Sequence, residues 1–289
     1  MKTAIVTDST AYIPEQLREE HHIYMLPLMV HLGEESFREE IDISAEEFYK
    51  KASQLDVFPS SSQPSLGATI ELFKRLSKEY DAIIAIYLSS GISGAYQSAY
   101  TLKDEFPLCP IYPFDSEISC YPQARLVLEA ARLAHEGIEP ERIIAQLTEL
   151  GERTKAYFMV DDLTNLQKGG RLSGGAALVG SMLKIKPILH FENKEILVFE
   201  KIRTKKKALQ RIRKLLAIDI KKVDYPLVIT VIHANREAAA KEIADKIQHD
   251  YPHLRVEISY FGPVIGTHLG EGAIGISWTE DVEINKLSV

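Results

Sequence analysis

The chain has 289 residues, of which 45% are hydrophobic and 26% charged, a composition typical of a globular protein with a sizeable core. Its formal net charge of −7 argues against nucleic acid as the main partner, and the lack of an apolar run of about 18 residues excludes a membrane-spanning helix. The two cysteines, Cys109 and Cys120, lack CxxC spacing, so we expect reduced thiols, a cytoplasmic location and no disulfide or zinc site.

Short apolar runs alternate with helical patterns in the first half of the chain. Strands are predicted at Ala4–Thr7, Ala82–Leu88 and Pro110–Phe114. The first of these is too short an apolar segment for a signal peptide. Apolar residues recur at steps of three and four within Leu66–Phe73 and Ala95–Phe106, which indicates helices. This alternation is typical of a parallel sheet covered by helices, which binds ligands at the carboxyl ends of its strands.

Polar side chains follow each predicted strand. They are Asp8, Ser9, Ser89, Ser90, Ser93, Asp115 and Ser116. Because the carboxyl ends of parallel strands meet at one edge of a sheet, we expect these side chains to gather along that edge.

The composition of the chain changes near Asp161, where a segment rich in glycine and small residues begins. A β-hairpin is predicted around Asn193–Lys194, and two helix–strand units follow it. We therefore predict an α/β fold in which a parallel-sheet, three-layer domain (residues 1–160) precedes an α+β domain (residues 161–289), with the ligand between them.

A serine cluster precedes a predicted helix in "PSSSQPSLGA". Pro64 suits the first turn of a helix, so Ser61 and Ser62 are expected just before its N-terminus, where free N–H groups favour an anion. The alternative is ordinary N-capping by serine. The segment "SSGISG" repeats the arrangement after another strand, and two hydroxyl-rich helix starts are more than capping requires.

A hydrolase is the main alternative to a protein that binds an anion at these hydroxyls. Gly91–Ala95 is close to the G-x-S-x-G elbow, and a triad can be assembled from Ser93, Asp115 or Asp162, and His268. The last elbow position is Ala95, however, and several serines stand where a hydrolase needs one activated serine. Several neutral donors are instead typical of a site that holds a carboxylate without attacking it.

The remaining motifs exclude some chemistry and add two candidate residues. Gly270–Gly275 matches G-x-G-x-x-G, but a strand-like segment follows it, so we predict no dinucleotide site. His268 lies among glycines and can donate to an anion, and Arg171 follows paired glycines and can bind a carboxylate or phosphate. No metal-binding motif is present, so we predict no metal and no cofactor.

Six segments follow one another in the order of a known protein family. They are "TDST" (Thr7–Thr10), "SSQPS" (Ser61–Ser65), "LSSGISGAYQSA" (Leu88–Ala99), "FDS" (Phe114–Ser116), "LQKGGRLSG" with "KIKPIL", and "GPVIGTHLGEGAIG". Together they resemble the DegV family of bacterial fatty acid-binding proteins, from about Lys2 to about Trp278. The resemblance implies a non-enzymatic, lipid-binding subunit of fatty acid kinase in phospholipid metabolism. Its partners would be a long-chain fatty acid, a separate ATP-dependent kinase that forms the acyl phosphate and, transiently, a membrane.

Carried over by motif, the resemblance also implies residue roles. Ser61, Ser62, Ser93, Gly94 and His268 would bind the carboxylate of the fatty acid. Arg171, Asp8 and Ser9 would lie near this head group, and no residue would be catalytic.

The chain departs from the family pattern at three places. Ser61 replaces the usual threonine and keeps its hydroxyl, whereas Glu271 replaces a proline and brings a negative charge towards the supposed site. "CYPQAR" replaces a glycine-rich helix start, so the acyl pocket is expected to differ in shape or length. Small residues that can leave room for the acyl chain, or equally allow close helix packing, are Gly174, Gly175, Ala176, Ala177 and Gly180.

Overall fold

The computed structural model describes residues 1–173 and 185–282. Its strands in chain order are β1 (Thr3–Asp8), β2 (Ile23–Leu26), β3 (Met29–Leu32), β4 (Glu35–Arg38), β5 (Ser60–Ser62), β6 (Ala82–Tyr87), β7 (Ile111–Asp115), β8 (Lys155–Met159), β9 (Ile188–Glu192), β10 (Glu195–Glu200), β11 (Leu227–His233), β12 (Arg255–Tyr260) and β13 (Ile274–Glu280). The α-helices are α1 (Glu15–Glu20), α2 (Ala45–Ala52), α3 (Leu66–Leu76), α4 (Ala95–Tyr100), α5 (Cys120–His135), α6 (Pro140–Arg153), α7 (Thr164–Lys168), α8 (Lys205–Ile220), α9 (Glu237–Asp250) and α10 (Pro263–Leu269).

The first sheet is parallel, with strand order β2-β1-β6-β7. Its central strands β1 and β6 are buried along their whole length, which explains their continuous apolar sequences. Alternate residues face opposite layers, since Ile5 and Ile84 pack against α5 and α6, whereas Val6 and Ile83 join the core on the other face. This arrangement confirms the predicted α/β fold class.

A small antiparallel sheet with order β4-β3-β5 stands beside this layer. The predicted place of Ser61 and Ser62 before a helix N-terminus is wrong, because both residues lie in β5 and Ser61 pairs with Val30. Helix α3 is instead capped by Ser65, whose side chain accepts from the backbone N–H of Ala68 at 3.1 Å. Pairing with β3 makes this segment a strand, although serine is not among the residues that are enriched in strands.

The later part of the chain forms a mixed sheet with order β10-β9-β8-β13-β11-β12. The predicted hairpin turns at Asn193 and Lys194, both of which have positive φ. Helices α8 and α9 pack on one face of this sheet around Trp278 and Ile229. Strand β8 lies within residues 1–160 but pairs with β9 and β13 of this later sheet. The division into domains 1–160 and 161–289 stays a prediction.

The other face of the mixed sheet packs towards the parallel-sheet layer. Phe158, Ile232 and Phe261 belong to the same buried cluster as Val6 and Tyr87, so one core joins the two sheets. The predicted small-residue segment, Gly174–Gly180, lies outside the described residues. Among the residues that are described, none of the helices combines the length and apolar character needed to cross a bilayer.

Candidate functional site

A cavity lies between the two sheets and has an empty volume of about 870 Å³, part of it open to solvent. Its walls come from both halves of the chain. Apolar side chains dominate the lining: Leu28, Leu88, Ile92, Ile118, Pro122, Phe158, Phe191, Ile196, Ile232, Phe261, Val264, Ile265, Leu269 and Ile276. Concave apolar sites with a few polar groups are typical of small-molecule binding.

A polar cluster lines part of this cavity. It contains Ser61, Ser93, His268 and Arg171, and Ser62, Gln63 and Gly94 complete this part of the wall. The hydroxyl of Ser61 and Nε2 of His268 form a hydrogen bond of 2.8 Å, although 207 positions separate the two residues. The fold therefore places β5, which comes early in the chain, in contact with α10, which lies near its end.

Each of these side chains is positioned by a different element. Ser61 lies in β5, Ser93 lies in the turn between β6 and α4, and His268 lies in the last turn of α10. Ser93 Oγ accepts from the backbone N–H of Ala95 at 3.3 Å, so the side chain of Ser93 stabilises the turn that leads into α4. A Cβ at position 94 would overlap with Gln63, so glycine permits this close approach.

Ser62 occupies a different environment from Ser61. Its hydroxyl lies 3.0 Å from Nε2 of His31, and the same imidazole contacts Ser36 through Nδ1 at 2.8 Å. Ser62 is exposed, whereas Ser61 is partly buried. Of these two serines, Ser61 is therefore the one bonded to His268.

His268 is held as a neutral imidazole at neutral pH. Burial, and secondarily the charge of Arg171, lower its pKa from the ordinary value of 6.5 to about 4. Within residues 1–173 and 185–282, the buried Nδ1 atom has no hydrogen-bond partner. Gly169 packs directly against this atom, and a Cβ there would overlap with it.

Arg171 brings positive charge to the polar cluster. Its Nε donates to the carbonyl of Ile92 at 3.2 Å, and one terminal nitrogen donates to the carbonyl of Gly169. No acidic side chain lines the cavity in the described part of the chain. An anion in the cavity would therefore meet neutral donors and one guanidinium and no like charge.

Asp8 and Ser9 lie outside the cavity lining. Asp8 is fully buried and accepts from the backbone N–H of Thr10 at 2.9 Å, the hydroxyl of Thr10 at 2.6 Å and the backbone N–H of Leu88 at 2.7 Å. Ser9 donates to Glu39 and accepts from the backbone N–H of Leu28 at 3.0 Å. Because Leu88 and Leu28 line the cavity, both side chains support its wall from behind.

The hydrolase triad considered from the sequence is not assembled. Nε2 of His268 bonds to Ser61, whereas the bond found for Ser93 is to Ala95. Asp115 accepts from Lys194 at 2.9 Å, and Asp162 accepts from the backbone N–H of Thr164 at 2.6 Å. A triad would need one of these carboxylates to accept a hydrogen bond from Nδ1 of His268, and neither Asp115 nor Asp162 is bonded to that atom.

The two other departures from the family pattern differ in their consequences. Glu271 does not line the cavity and pairs with Arg236 at 2.5 Å. Cys120 and Pro122 do line it, at the start of α5. Burial raises the pKa of the Cys120 thiol well above its ordinary range, so this thiol is uncharged at neutral pH.

Sequence reasoning missed most of the apolar wall. Strands β8 and β13 contribute Phe158 and Ile276 to the wall. Because the mixed sheet has buried residues on both faces, the sequence does not show which apolar residues of these strands face the cavity. Gln63 was also missed, and its place between two serines and Pro64 was the available signal.

Comparisons with known proteins agree with this architecture. The sequence model of the DegV family, described as uncharacterised proteins, matches residues 2–281. Protein DegV of Bacillus subtilis (strain 168) is 52% identical over 279 residues, which cover 96% of this chain and 99% of that protein.

Solved structures give the same result. The crystal structure of DegV, a fatty acid binding protein from Bacillus subtilis, has a TM-score of 0.92 at 51% identity and covers 97% of this chain and 100% of that one. A fatty acid-binding DegV family protein from Streptococcus agalactiae has a TM-score of 0.90 at 33% identity, over 98% and 100% of the two chains. This chain therefore belongs to the DegV family.

Proposed function

We propose that the protein binds a long-chain fatty acid, with the carboxylate at the polar cluster and the tail along the apolar walls. The observation that carries this proposal is a cavity that combines apolar walls with neutral donors and a guanidinium. The solved relatives from Bacillus subtilis and Streptococcus agalactiae, both described as fatty acid-binding, support it.

The carboxylate is assigned to Ser61, Ser93 and His268, with Gly94 and Ser62 beside them. Two hydroxyls and a neutral imidazole can donate to the two carboxylate oxygens without transferring a proton to them. His268 donates through a proton on Nε2, the nitrogen that meets Ser61 in the structure. When Nε2 donates to the carboxylate instead, the hydroxyl of Ser61 is free to turn and donate to the ligand as well. Ser62 has a smaller role, because its hydroxyl is bonded to His31.

Three further residues are assigned a place near the head group. Arg171 supplies the positive charge that keeps the bound carboxylate ionised. Asp8 and Ser9 act from behind the wall, through Leu88 and Leu28.

Affinity would come mainly from the tail. Burying a methylene group contributes about 0.8 kcal/mol, so about 15 of them contribute on the order of 10 kcal/mol before the costs of ordering the ligand. The head group would then set the orientation of the ligand and its discrimination from uncharged lipids.

The protein would act as a binding subunit, with no cofactor and no chemistry of its own. Ser62 and Gly94, both exposed, lie at the polar cluster, so a partner can reach the carboxylate there. In our proposal this partner is a separate ATP-dependent kinase, which transfers the γ-phosphoryl group of ATP to a carboxylate oxygen and releases ADP. The acyl phosphate would serve phospholipid metabolism in the cytoplasm, and the fatty acid would be exchanged during transient contact with a membrane.

Mass spectrometry of an organic extract tests this function. The protein is purified without denaturation and extracted, and we expect about one long-chain fatty acid per chain. An empty extract combined with failure to bind added palmitate or oleate would overturn the proposal. Ser93-dependent turnover of a p-nitrophenyl ester at enzyme-like rates would instead favour the esterase or thioesterase alternative.

A further inference from the structure

A buried carboxyl group that does not line the cavity is bonded to the helix that carries His268. Glu39 follows β4 and is 0% exposed. None of the ion pairs found among the described residues includes it, so no neighbouring cation in residues 1–173 and 185–282 would balance an ionised Glu39. An acidic group is rarely buried in this way unless hydrogen bonds hold it.

Three donors converge on this carboxyl group. The hydroxyl of Ser9 donates to Oε2 at 2.5 Å, and the hydroxyl of Tyr12 donates to Oε1 at 3.0 Å. The backbone N–H of Val264 donates to Oε1 at 2.7 Å, although it lies 225 positions away in the chain. Glu39 therefore connects the beginning of the chain with the first turn of α10.

Tyr12 strengthens the same connection. Its hydroxyl, which donates to Glu39, accepts from the backbone N–H of Ile265 at 3.3 Å. Its ring lies so close to Gly262 that a Cβ there would overlap with it. The hydroxyl of Tyr49 also donates to the carbonyl of Phe261 at 2.8 Å, so residues 261–265 are held from several sides.

Helix α10 transmits this constraint to the polar cluster. His268 follows Val264 by four residues, which is about one helical turn. Thr267 Oγ1 donates to the carbonyl of Pro263 at 2.9 Å, which ties the end of the helix to its beginning. Movement of the first turn would therefore move the imidazole relative to Ser61.

We propose that Glu39 is a positioning residue for the head-group site: its carboxyl group fixes α10 where His268 meets Ser61. This inference rests on the proposed fatty acid-binding function. Alanine at position 39 would leave the N–H of Val264 and the hydroxyls of Ser9 and Tyr12 without their acceptor in the interior. Glutamine would keep one oxygen for Val264 and Tyr12, and its amide could donate to Ser9.

A double-mutant cycle with His268 tests the proposal. Affinity for palmitate is measured by titration calorimetry for wild type, Glu39→Ala, His268→Ala and the double variant. We expect Glu39→Ala to weaken binding about tenfold in the wild-type background and less than about twofold in the His268→Ala background. Glu39→Gln should stay within about threefold of wild type.

Glu40→Ala is the matched control. Glu40 is the next residue, is partly buried and accepts from the hydroxyl of Tyr260 at 2.7 Å. Because it is not bonded to α10, any effect should be equal in both backgrounds. An equal loss for Glu39→Ala in both backgrounds would overturn the positioning role. If Glu39→Ala does not fold, Tyr12→Phe, which removes the shared hydroxyl, is put through the same cycle and must show the same non-additivity.

An NMR measurement without ligand separates this inference from the proposed function. In protein labelled with ¹³C-histidine, we expect Glu39→Ala to shift the Cε1 resonance of His268 and Glu40→Ala to leave it in place. This result is independent of fatty acid binding, so a protein that fails to bind palmitate still reports on Glu39. An unchanged His268 resonance in Glu39→Ala would overturn the inference.

Discussion

Two hydroxyl-rich clusters in the molecule look alike in sequence and have different partners. The cluster of Asp8 and Thr10 is fully buried, and its bonds go to neighbouring protein groups. The cluster of Ser61, Ser93 and His268 is partly buried and lines a cavity, so its hydroxyls and the imidazole Nε2 can turn to a ligand. Satisfied buried groups stabilise a fold, whereas groups that face a cavity with spare capacity can bind a ligand. Substitutions in the first cluster should therefore lower mainly stability, and substitutions in the second cluster should lower mainly ligand affinity.

The largest expected effect concerns stability and belongs to the first cluster. Asp8→Ala removes the acceptor of three buried donors, so we expect the free energy of unfolding to fall by about 3 kcal/mol. Fatty acid affinity per folded molecule should fall much less, by about threefold, because Asp8 acts on the cavity only from behind, through Leu88. Urea denaturation and calorimetry measure the two quantities. Normal stability combined with a tenfold loss of affinity would show that we have exchanged the roles of the two clusters.

The next effect concerns affinity and belongs to the second cluster. We expect His268→Ala to weaken palmitate binding by about 2 kcal/mol, or about 30-fold, because a donor to the carboxylate is lost inside the protein. The matched control is His31→Ala. His31 is bonded to Ser36 and Ser62 and does not itself line the cavity. Equal losses in both variants would contradict the assignment of His268.

The pH dependence of stability reports on Glu39, which lies between the clusters. Burial raises its pKa from the ordinary value of 4.5 to about 8, with a smaller contribution from the charge of Glu40. The folded protein then binds more protons than the unfolded chain between these values, so Glu39 makes stability fall as the pH rises from about 4.5 to about 8.

We therefore expect wild type to lose about 1 kcal/mol of unfolding free energy relative to Glu39→Gln between about pH 6 and about pH 7. Urea denaturation at each pH measures the difference in unfolding free energy between wild type and Glu39→Gln. Other groups that titrate, such as His233, contribute equally to both proteins and cancel in this difference. Parallel pH profiles would show that Glu39 is already ionised in the folded protein.

An effect of similar size, this time on affinity, is expected for Ser93→Ala. It removes one of several hydroxyl donors, so we expect palmitate binding to weaken by about 1 kcal/mol, or about fivefold. Ser89→Ala is the control, because that hydroxyl donates to the carbonyl of Lys194 at 2.6 Å and does not line the cavity. A greater loss of affinity in Ser89→Ala than in Ser93→Ala would argue that the turn acts through its packing on Lys194.

Parts of this account could be predicted from the sequence. The continuous apolar runs of β1 and β6 predicted buried parallel strands, and the Asn193–Lys194 turn predicted the hairpin. The hydroxyl and glycine motifs also indicated Ser61, Ser93 and His268. These features were accessible because each depends on local sequence.

Other features depend on contacts between distant segments. Serine and proline favour helix starts and so predict Ser61 just before a helix, but pairing with Val30 makes this residue part of a strand. The buried role of Glu39 depends on Val264, far away in the chain, and no local pattern indicates it. The apolar wall likewise depends on which face of the mixed sheet meets the parallel-sheet layer.

The central claim is that a fatty acid carboxylate lies beside His268, and ¹³C NMR of bound [1-¹³C]palmitate tests it directly. We expect wild type to give a carboxyl resonance distinct from that of free palmitate, shifted in His268→Ala and unchanged in His31→Ala. A bound carboxyl resonance that is the same in wild type and His268→Ala would contradict the account.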